Sequence, residues 1–209
     1  GFEQLVYGGL VKVFAGIIIA PIGGIVFGMA LVGIVIAIFA KYRPAIVNRT
    51  FGRLSIISSA WLALTHGAND GQKTMGIIVL ILFSADLISE IHMPLWVILA
   101  AASAMGLGTF FGGYKVIKTL GFKITRLKPY QGFAAQTGGG LMLAIFAILG
   151  IPASTTHAIT GSVMGAGAAR RKRAVRWKVS RQIIFSWIIT IPGAAGLGIA
   201  FTYIIHLFV

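Results

Sequence analysis

Two short polar runs stand inside otherwise apolar sequence, and their residue types are those that hold ions. In the first, Thr65-His66-Gly67-Ala68-Asn69-Asp70-Gly71-Gln72-Lys73-Thr74, a carboxylate and a carboxamide lie between the apolar stretches 56–64 and 75–83. A carboxylate near the centre of a bilayer costs roughly 2.5–3.5 kcal/mol on insertion scales, so it persists where it binds something or is paired. In the second run, Pro152-Ala153-Ser154-Thr155-Thr156-His157, three adjacent hydroxyls follow a proline. Proline suits a helix entry and Ser or Thr caps one. The run therefore predicts a helix N-terminus with orphan N–H groups and the positive end of the dipole, an anion site whose donors suit a tetrahedral oxyanion.

Each run has a plainer reading beside the chemical one. Gly67 and Gly71 bracket Asn69-Asp70, which favours a local break in the span, freeing carbonyls that join Asp70 and Asn69 around a hard cation such as Na⁺. A lone carboxylate can instead carry H⁺. The plainer reading pairs Asp70 with Lys73 or His66 on an intact helix. For Ser154, Thr155 and Thr156 it is ordinary capping at a hairpin turn, with His157 a packed histidine. Gln136 and Thr137 form a third, weaker interruption. Ser, His and Asp are all present, but Ser154 lies in no Gly-x-Ser-x-Gly elbow, so no enzyme is expected.

The elements that position these residues follow from hydropathy. Hydrophobic residues make up 57% of the chain and charged residues 11%, against about 25% charged in an ordinary soluble domain. The apolar runs reach the ~20 residues that a helix needs to cross hydrocarbon, and no alternating ten-residue pattern suggests a β-barrel. An all-α integral membrane protein is expected. The predicted spans are 13–40, kinked at Pro21; 54–85, discontinuous at 67–71; 94–114; a hairpin of 131–149 and 153–169; and 182–208.

The formal charge of +14 would suggest nucleic acid if it were clustered with aromatic residues, but 16 of the 18 Lys and Arg fall in the patches 41–53, 115–128 and 170–181. Each patch separates apolar segments, as cytoplasmic loops do under the positive-inside rule, so the basicity is topological and nucleic acid is not an expected partner. Anionic membrane lipid is one. Positive flanks on both sides make 131–169 a hairpin that enters and leaves on one face. The absence of cysteine excludes disulfides and thiolate ligands. Residues 1–12 lack a basic stretch followed by a short apolar core, so no signal peptide is expected. The 28 glycines, with Gly138-Gly139-Gly140 in the hairpin, suit close packing of helix backbones in lipid.

At these motifs the chain resembles the inorganic phosphate transporter (PiT) family. Gly67-Ala68-Asn69-Asp70 matches that family's Gly-Ala-Asn-Asp signature, and His66 with Gly71-Gln72-Lys73 matches the form common in the second half of bacterial members. Pro152-Ala153-Ser154-Thr155-Thr156-His157 resembles the Pro-x-Ser-Thr-Thr-His hairpin tip, and Gln136-Thr137-Gly138 falls where the family usually has Glu-Thr-Gly. The resemblance covers nearly all of the chain. It implies phosphate transport by symport with Na⁺ or H⁺ in the plasma (inner) membrane of a prokaryote, with no cofactor beyond the coupling ion.

By the same resemblance Ser154, Thr155 and Thr156 hold phosphate from a re-entrant hairpin tip. Asn69 and Asp70 hold the coupling cation, Na⁺ if coupling is by sodium, and Gln136 and Thr137 belong on the cation side. Gln136 replaces the usual acid, which lowers the charge of that site. The family has two inverted repeats, each with its own Asn-Asp and Ser-Thr-Thr elements, whereas this chain has one of each. It is expected to be a carboxy-terminal half. Either an amino-terminal half belongs with it or two copies pair as a homodimer, and the charge bias opposes the inverted topology that a second copy would need. Other functions open at this point are a sulfate or other oxyanion permease and a membrane subunit that does not transport.

Overall fold

The computed structural model describes residues 7–208, and these fold into helices without a strand among them. Helix α1 is Tyr7–Phe39, α2 Pro44–Ser84, α3 Leu95–Lys118, α4 Pro129–Ile148, α5 Thr155–Ala168 and α6 Trp177–Phe208. A π-helical turn, Thr119–Ile124, follows α3, and a 3₁₀ turn, Lys172–Ala174, precedes α6. Segments 7–39, 95–114, 129–148 and 177–205 are long and apolar enough to cross a membrane. The protein is an integral membrane protein.

Helix α2 differs from expectation in two ways. It begins at Pro44, ten residues before the predicted span, because Pro44 is pre-organised for a first helical turn and Arg49 and Arg53 ride on the helix. It also runs unbroken through Gly67 and Gly71, so the predicted discontinuity is absent. Polar side chains here turn back onto their own helix: Thr65 Oγ1 donates to the carbonyl of Trp61 at 3.1 Å, Asn69 Nδ2 to that of Thr65 at 2.8 Å and Thr74 Oγ1 to that of Asp70 at 3.3 Å. A mid-helix glycine costs about 1 kcal/mol against alanine, too little to break a helix held by a partner on its side. Helices α1 and α6 likewise continue through Pro21 and Pro192.

The hairpin ends within two residues of the predicted limits, and its turn explains why. Gly150 has φ +60°, a left-handed conformation natural to glycine. Its N–H donates to Ala147 O at 3.2 Å and that of Ile151 to Phe146 O at 3.0 Å, the paired bonds of a Schellman stop that leaves Pro152 outside the helix. Helix α5 has 14 residues, about 21 Å of rise, which is less than the ~30 Å of a hydrocarbon core.

Small residues let α5 lie against α1. A Cβ at Gly161 would strike the Pro21 backbone and one at Gly165 that of Ile25, while Gly24 and Gly28 of α1 reciprocate against Ala158 and Ser162. The three consecutive glycines of α4 between them approach α1, α2 and α5. Gly138 approaches Gly28 and Ser162, Gly139 approaches Ile159, and Gly140 approaches Trp61 and Thr65. Beside this junction, Val32, Phe51, Tyr130, Ala134 and Met164 form an apolar cluster toward the basic end, with Met142, Leu143, Phe146 and Ala158 forming a second toward the hairpin tip. Clefts lined by residues of 42–48, 126–131 and 170–176 bring the three basic patches to one end of the bundle.

Candidate functional site

The two polar runs meet where α2 passes the start of α5, joining Asp70 to Thr155 across 85 positions of sequence. Thr155 Oγ1 donates to Asp70 Oδ2 at 2.9 Å. His66 Nε2 lies 3.0 Å from that same oxygen, one helical turn before Asp70. Lys73 Nζ is 3.1 Å from Asp70 Oδ1 and donates to the Ala153 carbonyl at 2.6 Å. Asp70 thus accepts on both oxygens, and Lys73 ties the carboxylate to the hairpin tip. Exposure of the two side chains, 44% for Lys73 and 29% for Asp70, leaves the pair reachable.

The three hydroxyls of the tip divide their work. Ser154 is the N-cap of α5, its Oγ accepting from the His157 N–H at 3.4 Å. Thr155 is buried and engaged with Asp70. Thr156 is exposed and its side chain makes no hydrogen bond among the described residues. All three, with Asp70, Lys73, Pro152 and Ala153, line a cavity of about 410 Å³ whose apolar wall is Val13 and Ile17 of α1. Beside the Asp70 carboxylate, its polar lining combines hydroxyls, an ammonium and the first-turn N–H groups of a helix, which are donors to an anion.

The remaining predicted cation ligands do not join this cluster. Asn69 is buried, and its Nδ2 spans to α4 by donating to Leu143 O at 3.4 Å in addition to Thr65 O. Gln136 Oε1 accepts from Ser58 Oγ at 2.5 Å. Ser58 precedes Asn69 by eleven residues, about 16 Å of helix, and Thr137 sits half-buried beside Gln136 on α4. Asn69 and Asp70 thus lie at a different level of the bundle from Gln136 and Thr137 in this structure. With α2 intact, no unwound carbonyls are available to complete a coordination shell around Asp70.

Comparison with known proteins bears on this arrangement. The sequence profile of the phosphate transporter family matches residues 37–198. The chain belongs to the phosphate transporter family. It is 46% identical over 196 residues to a probable low-affinity inorganic phosphate transporter of Rhizobium meliloti, covering 93% of this chain and 59% of that protein. A protein of the same description from Bacillus subtilis is 39% identical over 208 residues, covering 99% of this chain and 62% of the relative. The chain thus spans about three-fifths of the length of these curated relatives. A solved structure described as the sodium-dependent phosphate transporter shares the fold with a TM-score of 0.63 at 24% identity, covering 90% of this chain and 60% of that one.

In this phosphate transporter family member, Lys73 and His66 are the site residues that the sequence reading placed only in a competing role. Their signal was available: i, i+3 and i, i+4 spacing to Asp70 puts all three on one face of a continuous helix. Assuming a broken helix removes that face.

Proposed function

We propose that this chain forms one half of a secondary transporter that carries inorganic phosphate across the plasma membrane of a prokaryote by symport with a cation. The observation that carries the reading is the Thr155–Asp70 hydrogen bond under a cavity lined by Ser154, Thr155, Thr156 and Lys73. Phosphate is held at the tip by the Thr156 hydroxyl, the open N–H groups of the α5 start and Lys73, while Ser154 keeps the helix start in shape. A phosphate oxygen takes the place of Ala153 O or Asp70 on the lysine without leaving a buried donor unpaired. The α4–α5 pair acts as a re-entrant hairpin, consistent with the ~21 Å rise of α5.

The coupling cation is Na⁺ or H⁺. Lys73 occupies the position beside the Asp70 carboxylate that either cation would take, so coupling needs the lysine to swing onto the phosphate. A Na⁺ ion in that place would meet the Asp70 carboxylate, the Ala153 carbonyl and the tip hydroxyls, whereas H⁺ would need only the carboxylate. The relatives' names support phosphate as the cargo, and their bacterial origin supports the membrane assignment.

The test is uptake of radiolabelled phosphate by vesicles bearing the full-length transporter, with sodium replaced by choline and sulfate as competitor. The expected result is phosphate uptake poorly inhibited by sulfate and driven by one cation gradient, lost in choline if Na⁺ is coupled and kept there if H⁺ is. Asp70→Asn should abolish it, because the amide can neither hold full negative charge beside Lys73 nor take up a proton. Undiminished uptake by Asp70→Asn overturns the role given to Asp70. Sulfate competing as well as phosphate makes this an oxyanion permease, and binding without uptake makes it a non-transporting subunit.

A further inference from the structure

At the opposite end of the bundle from the hairpin tip, two adjoining clefts of about 190 and 300 Å³ share Lys128, Tyr130 and Arg170. They lie where the end of α1, the starts of α2 and α4 and the end of α5 converge. The larger cleft adds Arg126 and Arg171; the smaller adds Asn48 and an apolar wall that includes Val35, Phe39 and Val47. We propose that this paired cleft is a binding site for an anionic phospholipid of the inner leaflet, its headgroup phosphate held by Lys128, Arg170 and Tyr130 and its acyl chain laid along α1.

Three observations converge on it. The basic side chains have no acidic partner: the ion pairs among the described residues are those of Asp70 with His66 and Lys73, far along α2. Tyr130 is 8% exposed and lines both clefts, and its hydroxyl makes no hydrogen bond among the described residues while its oxygen keeps accessible surface, free to meet a ligand in the clefts. Asn48 is half-buried and likewise makes no side-chain hydrogen bond. Finally, the apolar wall continues into an α1 surface with Ile34 and Ile38 more than half exposed, a surface that meets acyl chains in a bilayer. A free phosphate ion would use the charges and leave that wall without an occupant. A lipid uses both, as basic pockets between helices at the cytoplasmic face do.

Native mass spectrometry of the purified chain in neutral detergent, titrated with dioleoylphosphatidylglycerol or dioleoylphosphatidylcholine, reads the site directly. The wild type should retain phosphatidylglycerol in preference, and excess sodium phosphate should not displace it. Lys128→Gln with Arg170→Gln should lower phosphatidylglycerol affinity about thirtyfold, the loss expected for two headgroup-facing charges. Tyr130→Phe keeps every charge and the ring, and should lower it roughly three- to tenfold, so it reads the site even if the double variant fails to fold. Lys178→Gln with Arg181→Gln removes the same charge from α6, outside the cleft, and should change affinity by less than about threefold. Equal loss in that α6 pair, unchanged affinity in Tyr130→Phe, or displacement of the lipid by sodium phosphate overturns the proposal.

Discussion

Helices α5 and α6 adjoin in sequence and have opposite surroundings. Helix α5 is short, rich in Gly, Ser and Thr, and buried along most of its length. Helix α6 is more than twice as long and more apolar, yet between 177 and 205 it buries only Ser180. In water the apolar helix would be the inner one. In lipid the hydrocarbon already satisfies an apolar surface, and what helices gain from one another is close packing and hydrogen bonding. Burial here therefore tracks smallness and polarity instead of hydropathy.

The largest effect should come from placing the same side chain in each helix. Gly165→Leu drives a side chain into the Ile25 backbone, whereas a Cβ at Gly196 of α6 meets nothing within 4 Å. Overpacking costs typically ~1–3 kcal/mol and more where backbone must move, so Gly165→Leu should abolish a folded, monodisperse protein while Gly196→Leu leaves its thermal midpoint in detergent near wild type. Equal tolerance of both would dissolve the distinction between the helices.

Next in size is the pair of threonines at the α5 start. Thr155→Val removes a hydrogen bond to a carboxylate, worth about 1.5–3 kcal/mol, and should lower the thermal midpoint. Thr156→Val, at an exposed hydroxyl without a partner, should leave stability unchanged and weaken phosphate binding in the full-length transporter roughly tenfold or more, read by isothermal titration. A stability loss in Thr156→Val with normal binding would make the tip a mere helix cap.

A smaller effect probes how α6 is attached. His157 of α5 and Trp187 of α6 pack with ring centroids 3.8 Å apart. Trp187→Leu should cost about 0.5–1.5 kcal/mol and loosen α6 first, seen as earlier proteolysis near 170–177 before any change in the rest. The smallest effect belongs to Ser162, whose buried hydroxyl lacks a partner. Ser162→Ala removes an unsatisfied group and should leave the thermal midpoint unchanged or raised, by up to about 1 kcal/mol in stability.

The α4–α5 hairpin is legible in the sequence because local signals agree: a glycine able to adopt positive φ, a proline past the stop and a Ser-Thr-Thr cap fall within seven residues. The continuity of α2 is not legible, because the partners that hold it lie 74 and 85 positions away, Leu143 on Asn69 and Thr155 on Asp70. Two glycines read in isolation point toward a break that tertiary contacts override. Asp70 and Thr155 stand out in the sequence, since a carboxylate and a hydroxyl-rich helix start are rare in such an apolar chain. Their direct pairing, and the removal of Gln136 and Thr137 to another level of the bundle, depend on how α2 and α4 cross, which no single segment encodes.

The glycine seam between α1 and α5 has a mechanical consequence. Where Gly24, Gly28, Gly161 and Gly165 bring backbone onto backbone, no flexible side chains lie between the helices to absorb a rotation, so one helix cannot roll on the other without a collision of main chains. The two behave as a single stiff lever with the hairpin tip at its end. Motion that opens the tip must then be borne at softer joints, among them the loosely attached α6 and the side-chain ties of Asp70 to Thr155 and Lys73, which can break and re-form without moving a helix axis.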